Sequence, residues 1–183
     1  MNLNIFNARN LAILTVILFG ALMRLVPHWP NFTPIAATAL FGGAYISRRW
    51  LSFIIPLAAL LFSDMIIGFH NSMWAVYLGF LITVMIGWYI GQKRNAHSII
   101  LGSIIASVTF FLITNFAAWL AYPIYTKDFQ GLITSYIAGL AFFNDGTLGI
   151  SFFLNDVIAT LFYSGLFFGA FSLAEKKVPA LAK

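Results

Sequence analysis

Asp64 is a carboxylate set inside an apolar run, in Ser63-Asp64-Met65-Ile66-Ile67-Gly68-Phe69-His70-Asn71. An acid within a membrane segment costs about 2.5–3.5 kcal/mol on insertion scales, so it faces neighbouring helices or a cavity. Two compatible readings follow: an Asp64–Arg24 ion pair that locks two helices together, and a binding site at the same depth. Asp156 lies one turn inside the last apolar segment, where an acid also suits the positive end of a helix dipole. Arg24, His28, Asn31, His70, Asn71, Asn115 and Asn155 stand at segment ends that fall on the same side as these two acids. His28 and His70 suit surface hydrogen bonding or a single axial metal bond. Bis-His haem needs imidazoles facing each other within the bilayer, which this spacing does not offer. His97, beside Lys93 and Arg94, reads as solvated. Trp29, Trp74, Tyr77, Trp119 and Tyr122 sit where interfacial aromatics belong, and the same rings can wall a flat ligand.

Catalytic signatures are absent from the sequence: no HExxH, no GxSxG, no P-loop and no Cys nucleophile. With no Cys, thiol chemistry and disulfides are excluded as well. These residues therefore point to binding rather than to an enzyme.

The elements that position them follow from composition. The chain has 183 residues, 61% apolar, 17% aromatic and 8% charged. A soluble domain carries about 25% charge. Soluble enzymes, disordered tails and nucleic-acid modules are excluded, and the net charge of +5 is scattered in ones and twos. The expected fold is all-α, a polytopic membrane protein with six transmembrane helices in one domain, 1–183. The apolar segments run over 10–26, 34–46, 50–69, 73–91, 98–122 and 150–174. Pro34 suits a first helical position, and Pro56 lies inside the third segment. Pro27, Pro30 and Pro34 restrict φ through the first loop, which should be stiff. Before the last span, Leu132, Ile133, Tyr136, Ile137 and Leu140 recur at helical spacing, the pattern of a short interfacial helix. Asn144-Asp145-Gly146 then reads as a turn. Gly165 and Gly169, with Ala170 and Ala174, form small-residue faces on the last span, as do Gly42, Gly43 and Ala44 on the second, and these mark helix packing or a docking surface.

With six crossings, Arg9, Arg48, Arg49, Lys93, Arg94, Lys176, Lys177 and Lys183 fall on one side, and Arg24 and Lys127 on the other. The positive-inside rule makes the first side cytoplasmic. A re-entrant second segment with five crossings and an external N-terminus gives the same charge split. Lysine and arginine placement alone leaves both arrangements open.

Across RLVPHWPNFTPIAATALFGGAY, SDMIIGFHN with VYLGF, and TKDFQGLITSYIAGLAFF, the chain resembles a bacterial six-helix membrane-protein family of unassigned function marked by PHxPNFTP. More distantly it is similar to the S-components of energy-coupling-factor vitamin transporters, especially the solitary cobalamin-uptake members. That resemblance implies a bacterial cytoplasmic (inner) membrane location, cytoplasmic termini, and a ligand held at the outer face beneath the first loop. It also implies an energy-coupling ATPase module as a partner and cobalamin or cobinamide as the transported ligand. The cobalamin-handling relatives use a membrane-embedded Cys on cobalt, which this chain lacks. At Val76–Phe80 only Tyr77 offers a polar atom, so the cobalt ligand would be His70 or His28. The expectation is a vitamin-like compound captured at the extracytoplasmic face, with Arg24, His28, Trp29, Asn31, Asp64, His70, Asn71, Trp74, Tyr77, Asn115, Trp119, Asn155 and Asp156 around it. The competing expectation is a non-catalytic structural or accessory subunit of a larger membrane complex.

Overall fold

The computed structural model describes residues 7–140, 142–143 and 150–182. Its helices are α1 (Ala8–Met23), α2 (Ile35–Tyr45), α3 (Arg49–Ile67), α4 (Met73–Gly91), α5 (Ala96–Ala121), α6 (Phe129–Leu140) and α7 (Phe152–Lys177). A two-residue antiparallel pair, β1 (Phe142–Phe143) and β2 (Ile150–Ser151), precedes α7, and a single 3-10 turn, Pro179–Leu181, follows it. The architecture is all-α, and the helices match the apolar segments to within a few residues. The turn read at Asn144–Gly146 lies outside the described residues.

Four helices, α3, α4, α5 and α7, are long and apolar enough to cross a membrane. Their outward faces carry large exposed apolar side chains such as Met65, Tyr89, Ile105 and Phe162, which a lipid-facing surface requires. Helix α1 has 16 residues and α2 has 11. At about 1.5 Å per residue, α2 is about 16 Å long, half the thickness of a hydrocarbon core.

That short helix is the centre of the molecule. From Ala36 to Gly43 every residue of α2 is buried, and it touches α1, α3, α4, α5 and α7. Small residues allow this. A methyl group on Gly43 would collide with the Val84 carbonyl, and one on Gly87 with the Leu40 carbonyl, so α2 and α4 meet backbone to backbone. Gly42 seats against the Pro56 ring of α3. Phe41, fully buried, packs edge-on against Phe167, Phe168 and Phe171 of α7.

One end of the bundle gathers the start of α1 and the end of α7. Arg9 bonds Glu175 at 2.6 Å and the Leu181 carbonyl, and its guanidinium lies over the Tyr45 ring at the end of α2. Arg94, after α4, also lies over Tyr45. The end of α1, the start of α2, the end of α3 and the start of α7 meet at the opposite end. Helix α2 therefore carries the chain from one end of the bundle back to the other.

Helix α6 exists as the sequence spacing indicates, with its faces sorted by size. Gly131 and Ser135 are buried, and a methyl on Gly139 would strike Asn115 and Phe111 of α5. Ile133, Ile137 and Leu140 point away from the bundle. Its small face packs, and its apolar face is left exposed.

Candidate functional site

The loop between α1 and α2 is held at the middle of its proline-rich stretch. Asn155 Nδ2 of α7 donates to the Pro30 carbonyl at 2.7 Å, and Asn31 Nδ2 donates to the Phe152 carbonyl at a longer 3.4 Å. Asn31 adopts a φ of 60°, the left-handed region in which Asn is tolerated better than most residues. Prolines limit the loop's freedom, and two amides then tie it to the start of α7.

Beneath that loop lies a cavity of about 880 Å³, within the size range of small-molecule sites. Arg24, His28 and Asn31 line it from the first loop, His70 and Ser72 from the α3–α4 turn, Thr114 and Asn115 from α5, and Asp156 from α7. Phe110, Phe111, Phe152 and Phe153 supply apolar wall, and Tyr122 and Tyr125 stand beyond them. Phe111 and Phe153 rings lie 4.9 Å apart, so the wall is continuous from α5 to α7.

Arg24 enters this cavity already neutralised. Its guanidinium pairs with Asp64 Oδ1 and donates to Ser63 Oγ at 2.8 Å. Tyr77 donates its hydroxyl to the other carboxylate oxygen at 2.9 Å. Asp64 is 1% exposed and does not line the cavity. The ion pair between α1 and α3 is thus present, with a tyrosine from α4 as a third member. Asp156 is different. Its Oδ2 is buried without a hydrogen-bond partner among the described residues, as is Thr160 Oγ1 one turn further on.

Of the residues singled out in the sequence, Arg24, His28, Asn31, His70, Asn115 and Asp156 converge on the cavity. Asp64, Tyr77 and Asn155 brace it from behind. Trp119 bonds the Thr126 carbonyl of the α5–α6 loop at 2.7 Å, a structural contact. Trp29 packs on Phe32 and lines a separate shallow hollow with Tyr163. Trp74 is half exposed, and Asn71 lies on the exposed turn after α3. The wall is therefore phenylalanine, where tryptophan and Tyr77 were expected. His28 Nδ1 lies 3.2 Å from the Trp29 carbonyl, and His70 Nδ1 3.1 Å from Ser72 Oγ. No three His, Cys, Asp or Glu side chains converge as a metal cluster among the described residues.

A second hollow of about 750 Å³ opens between α5 and α7 at the other end, lined by Ile99, Ser103, Gly165, Phe168 and Gly169 with Arg94, Glu175 and Lys176 at its mouth. Gly165 and Gly169 have nothing within 4 Å of where a side chain would start. Among the described residues, nothing packs against these two glycines.

Apolar spanning helices and a polar-mouthed, aromatic-walled cavity at one end define a multi-pass membrane protein with a built cavity. The chain belongs to the family of unknown function DUF6580, whose model matches residues 4–181. No curated protein and no solved structure matches it.

Proposed function

We propose that this protein binds a small, ring-containing, vitamin-like compound at the extracytoplasmic face of a bacterial cytoplasmic membrane and takes part in its uptake. The observation that carries this reading is the cavity under the pinned proline loop, where polar groups from four segments meet a phenylalanine wall. Such a mixture of apolar lining and few convergent polar groups is what small-molecule sites share. The reading is of a binding protein without catalytic function, resembling the S-components of vitamin transporters. Release inward would proceed by reorientation within the membrane or by coupling to an ATPase module.

Six crossings accompany this reading. The start of α1 and the end of α7 share one end of the bundle with Arg94, and α2 returns the chain between α1 and α3. The basic residues Arg9, Arg48, Arg49, Lys93, Arg94, Lys176 and Lys177 belong to segment ends that this path places on one side, and the positive-inside rule makes that side cytoplasmic.

A corrinoid is the narrower version. Imidazole can replace thiolate on cobalt, and His70 and His28 both line the cavity. Native mass spectrometry of the purified protein should reveal a co-purified small molecule. Absorbance titration with cobinamide should give a ligand-field shift that His70→Ala or His28→Ala abolishes. A protein that carries no small molecule and binds none from a ring-compound library would overturn the uptake reading, whereas failure with cobinamide alone removes only the corrinoid.

The second reading, an accessory subunit in a larger membrane complex, draws on the unfilled groove at Gly165 and Gly169. Purification in mild detergent discriminates the two. A stoichiometric membrane partner lost on Gly165→Leu favours the subunit.

A further inference from the structure

The geometry points to a single-charge selector in the cavity: we infer that Asp156 pairs with the cationic nitrogen of a flat, monocationic ligand. The inference rests on the uptake reading and names the substrate class.

The argument begins with the charge balance. Among the described residues, the two formally charged side chains of the lining are Arg24 and Asp156. Arg24 is spent, because Asp64 takes its charge while Ser63 and Tyr77 complete the hydrogen bonds of the pair. Asp156 has no counter-ion among the described residues, and its Oδ2 is a buried acceptor with no donor. Ser107 donates its hydroxyl to the Asp156 backbone carbonyl at 3.5 Å and lies within hydrogen-bonding reach of the carboxyl group, and Oδ2 is left without a donor among the described residues. An unpaired carboxylate in a low-dielectric wall is costly, and so is an acceptor left without a donor. A ligand ammonium or amidinium removes both costs at once through a charge-assisted hydrogen bond.

The surroundings fit the same partner. Phe110, Phe111, Phe152 and Phe153 present ring surface to the cavity that contains Asp156. Phenyl faces attract cations and stack on flat rings. A carboxylate ligand would meet Asp156 as a like charge, with Arg24 unable to compensate it, so anions are excluded by repulsion. A neutral alcohol gains the wall and offers Oδ2 an uncharged hydrogen bond, without the ion pair that a cation adds.

The test uses three compounds of one shape: naphthylmethylamine, naphthalenemethanol and naphthoate, a cation, a neutral alcohol and an anion. Binding to the full chain in detergent is followed by calorimetry and by the shift in melting temperature. The amine should bind at least about tenfold more tightly than the alcohol, with naphthoate weakest. Asp156→Asn keeps the side-chain shape and should bring the amine down to the level of the alcohol, whose own binding changes far less because it loses no ion pair. An unliganded melting temperature at or above wild type verifies that the variant is folded. Equal binding of amine and alcohol, or an amine preference that survives Asp156→Asn, overturns the charge assignment and leaves the uptake reading standing. If none of the three binds and no small molecule co-purifies, both fall together.

Discussion

Arg24 and Asp64 hold α1 to α3 within a low-dielectric setting, and Tyr77 adds α4 to the same carboxylate. Removing one partner of such a pair leaves an uncompensated buried charge, at about 3–5 kcal/mol. Asp64→Asn should therefore lower the melting temperature in detergent markedly, and adding Arg24→Gln should recover part of the loss. Additive losses would mean that the residues do not act as a pair. Tyr77→Phe should cost about 1–3 kcal/mol, the penalty for stranding one charged acceptor. A second acid permits a pH test outside the membrane segments. Asp128 stands before α6, accepts the Gly131 amide at 2.7 Å and the Thr126 hydroxyl at 2.8 Å, and its pKa is lowered by those bonds, that of Gly131 first. A lowered folded-state pKa stabilises α6 above the ordinary carboxylate value, and the contribution disappears as pH falls through the folded value. Hydrogen exchange at the Gly131 amide, corrected for its intrinsic rate, should stay slow at neutral pH and lose protection on acidification. Asp128→Asn should flatten that dependence. The sequence announced Asp64 because any acid in an apolar run must be compensated, and Arg24 was the cation at hand. Tyr77's part was hidden, because an interfacial tyrosine and a hydrogen-bonding one look alike in a string of letters.

Glycine carries the contrast at the level of helices. Gly43 and Gly87 bring α2 and α4 into backbone contact, whereas Gly165 and Gly169 border open space. Gly87→Ala should be destabilising, at about 1–3 kcal/mol for overpacking, since a backbone carbonyl cannot step aside as a side chain can. Gly165→Ala should be neutral or stabilising by up to about 1 kcal/mol, because alanine is the better helix former and meets nothing. Thermal unfolding of both variants in one detergent measures the difference. Equal losses would place a helix on Gly165. The helices were readable because an apolar run bounded by charges or prolines has few other fates. Which small-residue face packs was not readable, since Gly42-Gly43 and Gly165/Gly169 follow the same rule in sequence. Among the described residues, only the first finds its partner. Helix α6 was legible for the related reason that helical spacing survives in its apolar residues, although its packing face is the small one.

For the whole molecule, the cavity was half visible. Polar residues at the ends of successive apolar segments gather at one end of a bundle, so Arg24, His28, His70, Asn115 and Asp156 could be grouped before any helix was placed. Phe110, Phe111, Phe152 and Phe153 could not, because the chain has 20 phenylalanines and nothing in sequence separates a cavity wall from a lipid-facing side. Under the six-crossing proposal, reporter fusions at either end of the chain should both be active only in the cytoplasm. An external N-terminal reporter would transfer the proline loop to the cytoplasm and remove extracytoplasmic capture with it.

The 11-residue length of α2 has a consequence for the membrane around it. A helix of that length exposed to lipid would force the bilayer to thin, and the cost of hydrophobic mismatch would vary with acyl-chain length. Encased by its neighbours, α2 never presents its length to lipid. Thick and thin bilayers should therefore be sensed by the outer helices alone, while the dimple above its first turn, which is the cavity floor at Thr33 and Ile35, keeps the same depth in each.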